Sequence, residues 1–275
     1  MSSFLKKLAL ARPSFKKQRA LSKKVISLAL ILGILTGCSS DKFIKPPPTD
    51  PDELEEYNEA NDPLEPLNRD LFALNMWVYH KALRPLGQLW KKYIPKPVRD
   101  SISTLEETWR EPMVFFSSAG AGKPYRAGNS FMRFAINMSF GIAGFFDIAK
   151  FAGYKEEPTD PGMVFALWDI DPGPYLFLPG IGPSNFRDAI GYAVGQALTP
   201  INYVPSGYGL IQFDWGYNVL GTFNMFASAS DQLEQLEHQS LDPYAFLRSA
   251  WQQNRQGQID ALKKDKRSTP PSWYY

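Results

Sequence analysis

The sequence has a single cysteine, Cys38, and only two histidines, His80 and His238. One cysteine excludes an internal disulfide framework. Neither histidine has a partner at metal-ligand spacing, and no His-Glu-x-x-His or Gly-x-Ser-x-Gly pattern occurs, which removes the common zinc-hydrolase and serine-hydrolase signatures. Both histidines read as solvated helix-surface residues. Long apolar runs are scarce as well. The principal one, Val25 to Leu35, has eleven residues, where crossing a bilayer takes about 20. Strict apolar/polar alternation, the mark of half-buried strands, is nearly missing.

What is present begins with charge. Residues 1–24 carry eight Lys and Arg and no acid, and the apolar run then leads to Leu35-Thr-Gly-Cys38. A basic segment, a short apolar segment and small residues before a cut make a secretory signal over 1–37. The Leu-Thr-Gly-Cys ending is similar to a bacterial lipobox, which makes Cys38 the acylated first residue of the mature chain. Ser39 follows it rather than the Asp that resembles an inner-membrane retention signal, which points to the outer membrane. Removing the eight signal charges leaves 22 Lys and Arg against 28 Asp and Glu, a net of −6. That balance argues against nucleic acid, whose binding rests on neutralising phosphates.

Residues 38–62 are polar and Pro-rich after the cysteine and read as an extended tether. Residues 63–255 hold enough apolar sequence for one domain, and 256–275 read as a polar tail. Within the domain the periodicity predicts helices over Pro66–Leu83, Lys96–Arg110 (ending before Glu111-Pro112), Gly128–Lys150, a Ser184-capped segment through Leu198, Asp231–Glu237 and Pro243–Asn254. The fold class is all-α. In Gly128–Lys150, Phe131, Phe134, Phe145 and Phe146 recur with other apolar residues at helical spacing, while Ser130, Arg133 and Asn137 share the opposite face and Gly141 and Gly144 continue it. The Phe side faces either acyl chains or a core. Arg133, which hydrocarbon would penalise by at least about 2.5 kcal/mol, either lines a polar path or pairs with an acid such as Asp147 or Asp188. Gly191 and Gly195, with Ala193 and Ala197, form a small-residue face suited to close packing in lipid or in a core.

Residues 169–188, "DIDPGPYLFLPGIGPSNFRD", pack four prolines and three glycines around Tyr175-Leu-Phe-Leu-Pro179. The stretch lacks the lysine of a P-loop, and Pro183 removes an N–H that a phosphate nest would use. Asp169 and Asp171, two apart before Pro-Gly, open a turn rather than form a catalytic pair. The expectation is a rigid, irregular apolar loop.

Six segments in order resemble the MlaA (VacJ) family of outer-membrane lipoproteins: Asp62-Pro-Leu-Glu-Pro-Leu-Asn-Arg69, Pro95-Lys-Pro-Val-Arg99, Glu111-Pro112, "RFAINMSFGIAGFFDIAK" (133–150), "GPYLFLPGIGPSNFRDAIG" (173–191) and Asp242-Pro-Tyr244. One departure is Met163-Val-Phe-Ala-Leu-Trp168, where the family usually has a Phe-Gly-x-Thr-like stretch. The resemblance implies a ring of amphipathic helices in the membrane plane around a polar channel. It also implies movement of phospholipids misplaced in the outer leaflet of the outer membrane to a periplasmic carrier, MlaC, often beside a trimeric porin. No cofactor and no catalysis are implied. On this reading Ser130, Arg133, Asn137, Gly141 and Gly144 are channel candidates, and Phe131, Phe134, Phe145 and Phe146 face the membrane. The alternative from another class is a structural or adhesive lipoprotein that binds only protein.

Overall fold

Helices carry most of the chain in the computed structural model, which describes residues 43–199 and, with interruptions, 220–267. Cys38 and His238 lie outside the described residues, and the segment expected to be helical at Asp231–Glu237 is described only in part. The described residues from Lys45 onward belong to one compact unit.

The tether expectation needs correction. Residues Pro51–Ala60 form helix α1, with the Asp50 carboxylate accepting from the Asp52 and Glu53 amides, a standard N-cap followed by proline at the first turn. None of its residues is buried. The segment before it is tied to the domain instead, through Lys45 Nζ to Glu65 at 2.7 Å and Tyr57 Oη to the Lys45 carbonyl at 3.0 Å. Helix α2 (Glu65–Val78) runs through a π-helical turn at Tyr79–Leu83 into α3 (Arg84–Tyr93). Pro85 cannot donate an i→i−4 bond, and the Arg84 amide reaches back five residues to Tyr79. The wider turn keeps the helix going past the proline.

Helix α4 (Lys96–Gly120) does not stop at Glu111-Pro112 as expected. Its buried face continues across the proline through Leu105, Thr108, Glu111, Val114 and Ser118. That packing outweighs the lost hydrogen bond. A turn at 121–123 returns the chain as α5 (Pro124–Ser139), packed along α4. The helix expected through Lys150 ends at Ser139 and resumes only as a short α6 (Ile148–Phe151). Between them the amides of Ala143 and Gly144 close onto the carbonyls of Met138 and Asn137. Ile142 and Ala143 adopt left-handed backbone (φ 51° and 55°), which is costly for a β-branched residue. Gly141 is obligatory there, because a Cβ would lie 2.3 Å from the Phe146 carbonyl oxygen.

Helix α7 (Pro161–Leu167) is capped by Asp160, and its departing family segment packs well. Met163 and Ala166 are buried with Ile259 and Leu262. The Pro/Gly-rich stretch is not an irregular loop. It forms an antiparallel hairpin, β1 (Tyr175–Leu178) with β2 (Gly182–Asn185), in register Tyr175↔Asn185 to Leu178↔Gly182. Gly180 and Gly182 supply the positive φ of the turn. Ser184 is a ladder residue, and the cap of α8 (Phe186–Leu198) is Asn185, whose Oδ1 accepts from the Asp188 amide at 2.7 Å. Helix α9 (Pro243–Lys264) runs past Asn254 into the expected polar tail because Ile259 and Leu262 supply a buried edge.

Where α7 crosses α8, backbones nearly touch. A Cβ on Gly191 would lie 2.4 Å from the Gly162 amide nitrogen, whereas one on Gly195 would meet Met113 and Pro161 at 3.7 Å. Ala193 and Ala197 are exposed, so only the two glycines belong to the close-packing face. We expect Gly191→Ala to destabilise by about 1–3 kcal/mol through forced backbone displacement. Gly195→Ala should be neutral or stabilising by up to about 1 kcal/mol, since helix glycine carries excess chain entropy. Thermal unfolding of both proteins checks this; equal effects would show that the crossing is not tight.

Candidate functional site

The interior of this molecule is unusually rich in polar groups. Among the described residues, buried polar and charged side chains are as numerous as buried apolar ones, and large apolar side chains lie exposed on nearly every helix. On α2 the buried residue is Asn68, while Leu74 and Trp77 are exposed. Phe131, Phe145 and Phe146 are exposed, and Phe134 is half-buried. Phe140 and Ile142 extend that surface, and Phe151 reaches 88% exposure.

Three buried polar knots hold the interior. In the first, Asp62 accepts from Asn68 Nδ2 (2.8 Å), Tyr244 Oη (2.5 Å) and Arg248 Nη1 (2.9 Å). Asn68 Oδ1 in turn accepts the Phe177 amide at 2.9 Å, which fastens the hairpin to α2. Burial and the Asp62 charge push the Tyr244 phenol well above its ordinary value. Arg69 adds a two-point pair to Asp242 at 2.6 and 3.2 Å. The motifs around Asp62 and Asp242 are thus two halves of one contact. In the second knot, Arg255 bridges Asp160 (2.7 and 2.8 Å) and Asp188 (2.7 Å), joining α7, α8 and α9. Burial alone would raise the Asp160 carboxyl, but the Arg255 bonds hold it below the usual range.

The third knot contains the predicted polar stripe. Arg133, at 1% exposure, donates from Nε to Glu111 Oε1 at 2.5 Å and from Nη1 to the Tyr154 carbonyl at 2.9 Å. Its guanidinium also lies 3.4 Å from Asp147. Of the two acids named as partners from sequence, Asp147 is the one; Asp188 belongs to Arg255. Asn137 Nδ2 donates to Asp147 Oδ1 (3.1 Å), and Asn137 Oδ1 accepts the Ala149 amide (2.8 Å). Ser130 hydrogen-bonds Glu111 as well, yet burial still raises that carboxyl above its ordinary value. Gly141 and Gly144 close the knot at the turn, with Gly144 (φ 98°) pressed onto Thr108.

Beside this knot is a cleft lined by the Glu107, Arg110, Glu111 and Val114 face of α4 and by residues 156–160. Nothing in the residue pattern singles out Glu107, Arg110, Glu156 or Thr159. The only available signal was the i, i+3, i+4 spacing of Glu107, Arg110 and Glu111 on one helix face. Among the described residues, no group of three or more His, Cys, Asp or Glu is placed to hold a metal ion, and no helix is long and apolar enough to cross a membrane. His80, exposed, sits 2.9 Å from Glu237.

A helical protein with a polar-rich interior and exposed apolar helix faces is the class this arrangement defines. The family model described as MlaA lipoprotein matches residues 60–258, and the chain belongs to that family. It is 29% identical to the intermembrane phospholipid transport system lipoprotein MlaA of Haemophilus influenzae strain Rd, over 90% of this chain and 96% of the relative. The protein of the same description from Escherichia coli K12 is 28% identical over 83% of this chain and 85% of its own. A solved structure reported under "Structural basis for maintenance of bacterial outer membrane lipid asymmetry" superposes with a TM-score of 0.62 at 30% identity, covering 72% of this chain and 98% of that one.

Proposed function

We propose that this chain is an outer-membrane lipoprotein, anchored through acylated Cys38, that takes phospholipids misplaced in the outer leaflet and passes them to an MlaC-like periplasmic carrier, working beside a trimeric porin. Its helices lie as a ring in the membrane plane, periplasmic side, around a polar conduit. Buried polar knots beneath exposed apolar helix faces carry this reading. Exposed aromatic and aliphatic side chains on many helices are a liability in water but not among acyl chains. The polar knots keep backbone and side chains satisfied inside such surroundings, where an unpaired polar group costs most.

A phospholipid has a charged head and two apolar tails, so its passage needs a polar wall that the head can follow. The cleft face of α4 supplies that wall. Ser130, Arg133 and Asn137 stand behind it: they fix Glu111 and the 140–147 turn. No bond is broken and no cofactor takes part; the process is transfer between binding sites. In a strain lacking the gene, phospholipid in the outer leaflet should rise and detergent resistance should fall, both restored by the intact gene. Unchanged lipid asymmetry would favour a purely structural or adhesive lipoprotein.

A further inference from the structure

Five carboxylates line the cleft, and three are neutralised. Glu111 is paired with Arg133, Glu157 with Arg267 at 2.7 Å, and Asp160 with Arg255. Glu107 and Glu156 have no hydrogen bond or ion pair among the described residues, and neither has Arg110. One further group is unspent. Thr159, which lines the same cleft, is 1% exposed, and its Oγ1 has no hydrogen-bond partner. A buried hydroxyl left unmatched by protein atoms carries a desolvation cost that a ligand oxygen can offset. Two carboxylates and one guanidinium without a hydrogen bond or ion pair, beside one orphan hydroxyl, make a dipolar receptor in a single cleft, although Glu107 feels the charges of Arg110 and Arg133.

We propose that this cleft recognises the head of a zwitterionic phospholipid, its ammonium held by Glu107 and Glu156 and its phosphodiester by Arg110 and the Thr159 hydroxyl. The proposal rests on the transport reading above and names the substrate class within it. An anionic head without an amine would meet two uncompensated carboxylates, and like charges in a partly desolvated cleft disfavour binding. Burial, helped by Glu156 and Asp147 and opposed by Arg133 and Arg110, pushes the Glu107 carboxyl up to about 7. Glu107 is therefore protonated below that value, and ammonium capture strengthens as pH rises through it.

The test uses the full-length lipidated protein in detergent with short-chain phosphatidylethanolamine and short-chain phosphatidylglycerol as probes. The native chain should bind the amine lipid at least fivefold more tightly, with the preference growing from pH 6 to pH 8. Glu107→Gln and Glu156→Gln should each bring the ratio close to one, and Glu107→Gln should remove the pH dependence. Thr159→Val should weaken both lipids by a similar factor. Glycerophosphoethanolamine, which has no acyl chains, should compete weakly; competition equal to that of the lipid would assign the site to a soluble phosphoamine and overturn the lipid assignment. Glu156 is exposed, so its variant folds even if Glu107→Gln does not. Equal binding of the two lipids by the native chain, with outer-leaflet asymmetry still dependent on the gene, would overturn this proposal and leave the transport reading intact. Asymmetry that ignores the gene would overturn the transport reading itself.

Discussion

Replacing Arg133 with methionine should destabilise the domain by about 3–5 kcal/mol, because removing one partner strands a charge in a site built for a pair. Glu111, at 4% exposure, would be left with Ser130 as its remaining named partner, and Asp147 would lose the guanidinium 3.4 Å away. A loss of that size is a large part of the 5–15 kcal/mol that typically separates folded from unfolded chains. The variant protein should therefore fall in abundance in cells and unfold at markedly lower denaturant. Adding Glu111→Gln should recover much of the loss, since the stranded charge is then gone. A channel-lining role for Arg133 makes a different forecast: normal abundance and membrane location, with lipid asymmetry lost. Chemical denaturation alongside quantitative immunoblotting separates the two, and Arg133→Met at native abundance would contradict the buried-pair account.

The opposite behaviour is expected on the outside. Phe145 and Phe146 are exposed, so Phe145→Arg with Phe146→Arg removes little packing and should leave the stability of the solubilised protein within about 0.5 kcal/mol, as surface changes do. Their cost should fall on the membrane. Each arginine placed in hydrocarbon loses roughly 2.5 kcal/mol or more, so the double variant in a Cys38→Ser background should bind vesicles at least about a thousandfold more weakly than Cys38→Ser alone. Vesicle flotation measures this. Unchanged flotation would mean that the turn between α5 and α6 does not enter lipid.

These two forecasts also mark how far the sequence could be read. Periodicity located α2, α4, α5 and α8 because an amphipathic helix repeats every 3.6 residues whatever surrounds it. It could not tell which face points inward, because that depends on the solvent. On α2, Leu74 is exposed and Asn68 buried, while Leu71 packs against Tyr175, Phe177 and Tyr244. Besides the end of α5, two element ends and one whole element were misjudged, for separate reasons. Pro112 normally stops a helix, but here buried residues on both sides carry α4 through. Ile259 and Leu262 are too sparse among polar neighbours to announce the last turns of α9. The hairpin at 175–185 has four-residue strands, too short to show alternation. Arg133 and Asn137 stood out as channel candidates because they share a polar face, but both are buried, and Arg133 lies 3.4 Å from Asp147, one of the two acids named for it. Glu107, Glu156 and Thr159 could not be chosen, because a cleft between α4 and residues 156–160 exists only after folding.

A conduit in the membrane requires that the exposed apolar faces of this protein be in contact with acyl chains. Trp77 and Trp168 are 60% and 59% exposed, whereas Trp251 is half-buried against Tyr175. Single-tryptophan forms of the lipidated protein, retaining Trp77, Trp168 or Trp251 and reconstituted in bilayers with brominated acyl chains, report that contact directly. Strong bromine quenching of Trp77 and Trp168, with little of Trp251, is the predicted result. Quenching of Trp77 and Trp168 by aqueous acrylamide instead, with none by the brominated chains, would contradict it.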